Sequence, residues 1–155
     1  MTVNLKAVID GMDTQNETRH TFLNRRTGEL VTIGDEDITL VESDIPMENI
    51  PAEQHDAIRL TRRVLGSNDF IQLPSKYDIH EYSIMERFCL SREDEELREK
   101  LLFSIHGQGA FRRFKETVQQ LGAADDWQKF RQAVFSEIAV EWLKTNRIRY
   151  TTTTS

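Results

Sequence analysis

The chain has 155 residues, a formal net charge of −6 and one cysteine. This length suffices for a hydrophobic core of its own, and the lone Cys89 cannot form an internal disulfide. The acidic balance disfavours indiscriminate nucleic-acid binding, which usually needs a strongly basic face. The charge is uneven, since residues 1–60 hold 12 acids and 5 bases whereas residues 105–155 hold 8 bases and 5 acids.

The N-terminal third predicts a helix followed by a β-hairpin. Apolar residues recur at helical spacing within residues 3–13, at Leu5, Val8, Ile9 and Met12. Two β-rich runs within residues 18–34 flank Arg-Arg-Thr-Gly, and Gly28 can adopt the positive φ of a tight turn. A hairpin alone is marginal in water, so it must pack on helices or on another strand.

Residues 43–51 predict a linker, because they hold two of the three prolines. Pro51 suits the first position of a helix that runs to Leu65 and stops at Gly66. Its inner face is predicted to comprise Ala57, Ile58, Thr61, Val64 and Leu65. The segment at residues 70–73 is predicted to be extended.

The remaining chain predicts helices at residues 78–90, 92–105, 110–121 and 126–145. Ser91 with Asp94 resembles a capping box for the second of these, and Gly122 suits the end of the third. The apolar residues predicted to face inward are Ile79, Tyr82, Met85, Phe88, Cys89, Leu97, Leu101, Ile105, Phe111, Phe114, Val118, Leu121, Trp127, Phe130, Val134, Ile138 and Trp142.

The predicted fold is therefore α+β. An N-terminal helix and a β-hairpin pack against a mostly helical C-terminal part, at residues 51–146, of about five helices. Residues 1–150 are expected to form a single domain, and the polar residues 151–155 to form a frayed tail. The start shows no basic segment followed by an apolar one, and no apolar run reaches membrane-spanning length. We therefore expect a cytoplasmic protein with no signal peptide and no membrane association.

Several stretches are distinctive in combination: residues 77–89, residues 107–115, Trp127 with residues 137–143, and the hairpin with the acidic run that follows it. This combination resembles that of the uncharacterised protein family 0158 of bacteria, over nearly the whole chain. The resemblance implies a single bacterial domain. It implies no activity and no catalytic residues, because none is assigned to the family.

The segment Gly107–Lys115 is the strongest candidate for a binding site. Helix N-termini carry partial positive charge and attract acids, yet this helix opens with Arg112, Arg113 and Lys115. An anionic partner is therefore expected, either internal or external. The favoured partner is internal, namely Glu93, Asp94, Glu95 or Glu96 or the acidic N-terminal part. A protein or nucleic acid is the second possibility, and a small anion held by the Gly107 and Gly109 amides is the third.

The other candidate groups carry weaker signals. The four histidines are scattered, and only His80 and His106 are predicted near the glycine turn as candidate acid–base residues. No Cys/His cluster or HExxH motif is present, so no metal and no cofactor is predicted. Asp35, Glu36 and Asp37 are interpreted as a solvated turn that starts a helix. Cys89 is interpreted as a buried, inert thiol.

Three functions remain compatible with these patterns. The favoured hypothesis is a non-catalytic interaction or regulatory module that binds a protein partner or a second copy of itself. The first alternative is nucleic-acid binding through Gly107–Lys115, which the net charge disfavours. The second is a small enzyme on an anionic substrate, with the glycine turn as the anion cradle.

Overall fold

A computed structural model describes residues 1–152 and shows an α+β fold with a mostly helical C-terminal part, as predicted. The chain divides into two compact units. Residues 1–78 and 139–152 belong to the first, here called the sheet unit, and residues 79–138 form the second, here called the helical unit. The predicted single-domain organisation stays a prediction.

The sheet unit begins with the predicted helix and hairpin. Strand β1 (Thr2–Asn4) leads into α1 (Leu5–Thr14), whose four predicted apolar residues are all buried. The hairpin consists of β2 (Arg19–Asn24) and β3 (Leu30–Gly34), and Gly28 in its turn has φ 80°. The hairpin is confirmed, and the helix is confirmed except at residues 3 and 4, which belong to β1. Both elements were predictable because their signals are local in sequence.

The hairpin gains the third strand that its stability requires. Strand β4 (Phe70–Gln72) pairs antiparallel with β2, so the sheet order is β3-β2-β4. One face of this sheet packs on α2 (Asp35–Glu42) and α3 (His55–Leu65), where Ile33, Val64 and Phe70 are buried together. The extended segment at residues 70–73 was predicted, but its strand partner was not.

Three details of this unit differ from the predictions. A 3-10 turn at Ala52–Gln54 separates Pro51 from α3, so the helix begins later than expected. On α3, Ile58, Thr61 and Val64 are buried, whereas Ala57 and Leu65 are exposed because they lie at the edges of the apolar stripe. Near the C-terminus, β5 (Arg149–Thr151) pairs in parallel with β1.

The predicted tail is therefore wrong at Thr151, which lies in a strand. Thr151 is ordered because its backbone pairs with that of β1, near the other end of the chain, and not because its side chain is buried. The rest of the predicted tail includes residues 153–155, which lie outside the described residues.

The helical unit contains α5 (Glu81–Leu90), α6 (Glu95–Ser104), α7 (Ala110–Gln120) and most of α8 (Ala124–Thr145). Its core is aromatic: the ring centroids of Phe88, Phe114 and Trp127 lie 4.8 to 6.1 Å apart in edge-to-face arrangements. Such pairs add about 0.5–1.5 kcal/mol each beyond the apolar area that they bury.

Two helix boundaries in this part were predicted wrongly. The helix expected at residues 78–90 is divided into α4 (Lys76–Ile79) and α5, because His80 adopts a left-handed conformation with φ 54°. The next helix starts at Glu95 rather than residue 92, since the side chain of Asp94, not that of Ser91, accepts the hydrogen bond from the Leu97 amide.

Candidate functional site

The predicted site segment forms the loop from Ile105 to Gly109 and the start of α7. Gly107 and Gly109 have φ 73° and 76°, conformations that cost an L-residue roughly 1–2 kcal/mol. α7 begins directly after Gly109, which provides no side-chain cap, and its first turn holds no acidic residue. The two glycines are therefore required by the sharp turn from α6 into α7.

Arg113 has an internal partner, and that partner is backbone. Its guanidinium donates from Nε to the Ser104 carbonyl at 3.2 Å, from Nη1 to the Gln108 carbonyl at 2.5 Å, and from Nη2 to the His106 carbonyl. The Ser104 carbonyl belongs to the last turn of α6, where helices leave carbonyls without intrahelical partners and carry partial negative charge. Arg113 thus caps the C-terminus of α6.

This capping explains why basic residues open α7. A cation is unfavourable at the N-terminus of α7, but the same cation is favourable at the C-terminus of α6. The glycine turn brings these two helix ends together. Backbone carbonyls with partial negative charge are therefore the partners of Arg113, in the place of the carboxylates that the sequence predicts.

The prediction of pairing with Glu93, Asp94, Glu95 or Glu96 is wrong. These acids lie before α6 or in its first turn, and a ten-residue helix separates them by about 15 Å from the loop at its other end. Glu96 instead pairs with Lys100, one turn along the same helix. Arg112 pairs with Glu116, also within its own helix, at 3.2 Å between Nε and Oε1.

Lys115 points to a different place from Arg113. It lines a groove of about 240 Å³ between α5, α7 and α8, together with Glu81, Phe111, Trp127, Gln128 and Arg131 among others. Glu81 and Arg131 form an ion pair across the groove, at 2.6 Å between Oε1 and Nε, and Arg131 also stacks on the Phe135 ring. Within residues 1–152, the Lys115 amine has neither a hydrogen bond nor an ion pair.

Three large aromatic side chains are exposed around the loop. Phe103 in the last turn of α6 is 78% exposed, Phe111 in the first turn of α7 is 50% exposed, and Tyr82 on α5 is 41% exposed. The Tyr82 hydroxyl donates to the Ile105 carbonyl at 2.9 Å, which places this ring beside the loop. We call Tyr82, Phe103 and Phe111 the loop aromatics.

The helical spacing predicts Tyr82 and Phe111 in the core, and this prediction is wrong, since both side chains are exposed. Phe111 recurs with Phe114 and Val118 at helical spacing, but it lies at the edge of the stripe that those two buried residues define. Phe103 was not singled out, although it falls between the inward positions Leu101 and Ile105. A residue two positions from each of two inward residues lies on the opposite face of a helix, and this spacing is the one signal in the sequence that Phe103 is exposed.

The two candidate acid–base histidines are both exposed. His80 occupies the N-cap position of α5 in a left-handed conformation, and its side chain makes no capping hydrogen bond. His106 lies in the loop, and its carbonyl accepts a hydrogen bond from Arg113. Neither lines the groove that contains Lys115. Their assignment as acid–base residues stays a prediction.

A carboxylate–histidine pair that the sequence did not indicate lies in the sheet unit. His20 Nε2 contacts Asp35 Oδ1 at 2.5 Å, and the Gln72 amide lies 3.4 Å from His20 Nδ1. Asp35 also opens α2, so the predicted acidic turn starts a helix. Both ring nitrogens of His20 therefore have polar neighbours within the protein. We interpret the pair as a structural link between β2, which carries His20, and α2, which carries Asp35.

The remaining candidate groups are the Cys89 thiol, the surface ion pairs and the side chains that could hold a metal ion. Cys89 is fully buried, and this burial raises the pKa of its thiol to about 11. On the surface of the sheet unit, a hydrogen bond from the Lys76 amine at 2.7 Å, and secondly the charge of that amine, lower the pKa of the Glu17 carboxyl. Within residues 1–152, no three His, Cys, Asp or Glu side chains are placed to hold a metal ion.

These features define a small α+β protein whose distinctive surface, in its helical unit, consists of a braced loop, exposed aromatic rings and a basic groove. No helix in residues 1–152 combines the length and apolar character needed to cross a membrane. The chain belongs to the uncharacterised protein family (UPF0158), whose profile matches residues 1–155, and this confirms the resemblance seen in the sequence.

Comparison with curated proteins and with solved structures finds no match. Since the family is uncharacterised, membership supplies no activity, ligand or catalytic residue.

Proposed function

We propose that this protein is a non-catalytic interaction module that binds a partner protein through the loop aromatics of its helical unit. The observation that carries the proposal is the exposure of Phe103, Phe111 and Tyr82 around one loop. Large exposed aromatic rings that are surrounded by polar residues often mark protein interfaces, where Tyr, Trp and Phe are enriched.

The braced loop favours this interpretation. Three hydrogen bonds from Arg113 and one from Tyr82 hold the backbone that connects Phe103 and Phe111. A surface that is ordered before binding loses less conformational entropy when a partner binds. The loop aromatics are thus suited to act as preorganised anchors.

The same geometry weakens the alternatives. For nucleic-acid binding, Arg113 is committed to carbonyls, so Arg112 and Lys115 remain for phosphates. Two phosphate contacts predict a slope of log affinity against log salt of about −1.4 to −1.8. For an enzyme with an anion cradle at Gly107–Gly109, the Arg113 guanidinium already occupies the inside of the turn.

The test is capture from native cell extract with the tagged full chain, followed by reconstitution with the purified partner. We expect Phe103→Ser with Phe111→Ser to weaken the reconstituted complex by about 30-fold or more, because anchor residues contribute about 2 kcal/mol or more. Tyr77→Ser is the matched control, since Tyr77 is 75% exposed but lies in the sheet unit.

Sizing of the pure protein tests self-association with the same variants. The proposal fails if the double variant and the control bind the partner equally. It also fails if the protein is monomeric and retains no partner. Salt-dependent binding of nucleic acid that disappears in Arg112→Met with Lys115→Met would favour the first alternative instead.

A further inference from the structure

The groove between α5, α7 and α8 offers a second feature of the same surface. Trp127 and Phe114 form part of its apolar lining, and half-exposed Phe111 belongs to both the groove and the loop aromatics. The groove is therefore continuous, through Phe111, with the surface proposed to bind a partner.

The size of the groove indicates what can occupy it. Its volume is about 240 Å³, whereas pockets for drug-sized molecules and cofactors are typically ~300–1,000 Å³. Since water occupies about 30 Å³ per molecule in the liquid, the groove corresponds to roughly eight waters. This space suits one apolar side chain better than a whole cofactor.

The charges of the groove indicate the chemistry of its occupant. Three charged residues line it, and the ion pair between Glu81 and Arg131 leaves Lys115 as the unbalanced cation. An occupant that carries a carboxylate next to an apolar group would pair with Lys115. A basic occupant would meet uncompensated like charge.

We infer that this groove binds a segment of the partner protein in which an acidic residue adjoins an aromatic one. The aromatic ring packs on Phe111 and Trp127, and the carboxylate pairs with Lys115. This inference rests on the proposed function, since it names the chemistry that the interaction surface recognises. An exposed ion pair contributes about 0.2–1 kcal/mol, so the carboxylate should improve affinity about 1.4- to five-fold over its amide.

The test uses two synthetic dipeptides, N-acetyl-phenylalanyl-glutamate amide and N-acetyl-phenylalanyl-glutamine amide. Each is titrated into the isotope-labelled full chain while the two tryptophan indole N–H resonances are followed. Dissociation constants near 1 mM are expected for such small ligands. Trp127 reports on the groove, and Trp142, which lies in the sheet unit, is the internal control.

We expect both dipeptides to shift the Trp127 resonance and not that of Trp142, with the glutamate form binding about 1.4- to five-fold more tightly. Lys115→Met should reduce this preference to about one. Lys129→Met, which removes an exposed lysine of α8 that does not line the groove, should leave the preference unchanged. Unfolding curves establish that both variants are folded.

The inference is overturned if neither dipeptide shifts Trp127 at several millimolar, or if the two bind equally to the unmodified protein. A preference that survives Lys115→Met also overturns it. None of these dipeptide results contradicts the proposed function, provided that replacement of the loop aromatics still weakens binding of the partner protein. Loss of that dependence, with dipeptide binding unchanged, contradicts the proposed function alone.

Discussion

Replacement of Arg113 by methionine tests whether this side chain is a structural cap rather than a binding group. Methionine keeps most of the aliphatic length and a high helix propensity but removes every donor. The Ser104 carbonyl belongs to a residue that is 4% exposed, so its loss of a partner should cost about 1–3 kcal/mol. Water can replace Arg113 as the hydrogen-bond donor to the carbonyls of the exposed residues His106 and Gln108. The loss of these two bonds should therefore add little to the free-energy cost.

We therefore expect Arg113→Met to lower the free energy of unfolding of the helical unit by about 2 kcal/mol. If the whole chain unfolds in one step, this corresponds to a fall of roughly 4–8 °C in midpoint temperature, and if the 60-residue helical unit unfolds by itself, to a fall of roughly 8–16 °C. The matched control is Arg112→Met, which removes an exposed pair with Glu116 and should change stability by no more than about 0.5 kcal/mol. Both residues are arginines in the same turn of α7, so helix propensity and net charge change equally.

The assay must report on the helical unit, because two compact units need not unfold together. Trp127 fluorescence in a Trp142→Phe background meets this requirement, since Trp142 lies in the sheet unit. Arg113→Lys should fall between the two variants, because an ammonium group lacks the planar fork that reaches three carbonyls. Equal midpoints for Arg113→Met and Arg112→Met would refute the capping interpretation.

Four further outcomes are expected. Gly109→Ala should cost about 1–2 kcal/mol because of the φ of 76°, as measured by urea unfolding, and a loss below that of the control Gly34→Ala would contradict this. His80→Gly should leave the midpoint unchanged or raise it, since glycine relieves the left-handed strain at φ 54°; a clear loss would show that the imidazole makes stabilising contacts. Cys89 should resist thiol reagents at pH 8 until the protein unfolds, because a pKa raised from 9.0 to about 11 leaves about 100-fold less thiolate than in a free thiol. The folded state holds this proton more tightly, so stability should fall as pH rises from about 9 to 11, and an equally steep fall in Cys89→Ala would assign the effect to other groups.

Much of the local structure could be predicted because its signals lie within a few residues of one another. The helical spacing of apolar residues in α1, and the alternation of apolar and polar residues on either side of Gly28, can each be recognised within about ten residues of sequence. The division between α4 and α5 could not be predicted in this way. His80 is neither glycine nor proline, so its left-handed conformation has no signal in a single sequence.

Strand pairing was less accessible because it depends on residues far apart in the chain. β1 and β5 pair through Thr2 and Arg149, and no local pattern indicates such a partner. Similarly, β4 was recognisable as extended, but its place beside β2 follows from the way the chain returns after α3. Because an isolated strand or hairpin is only marginally stable in water, the sequence indicates that each strand has a partner strand, but it does not indicate which one.

At the candidate site, the amino acids alone show that two glycines precede a basic helix and that its cations need negative partners. The identity of those partners depends on the three-dimensional fold. The turn at Gly107 and Gly109 places Arg113 against the carbonyl end of α6, leaves Arg112 on the surface and directs Lys115 to the groove. The sign of a charge is known from the residue type. The partner of that charge depends on where the neighbouring helix ends, and the packing of the whole helical unit sets that position.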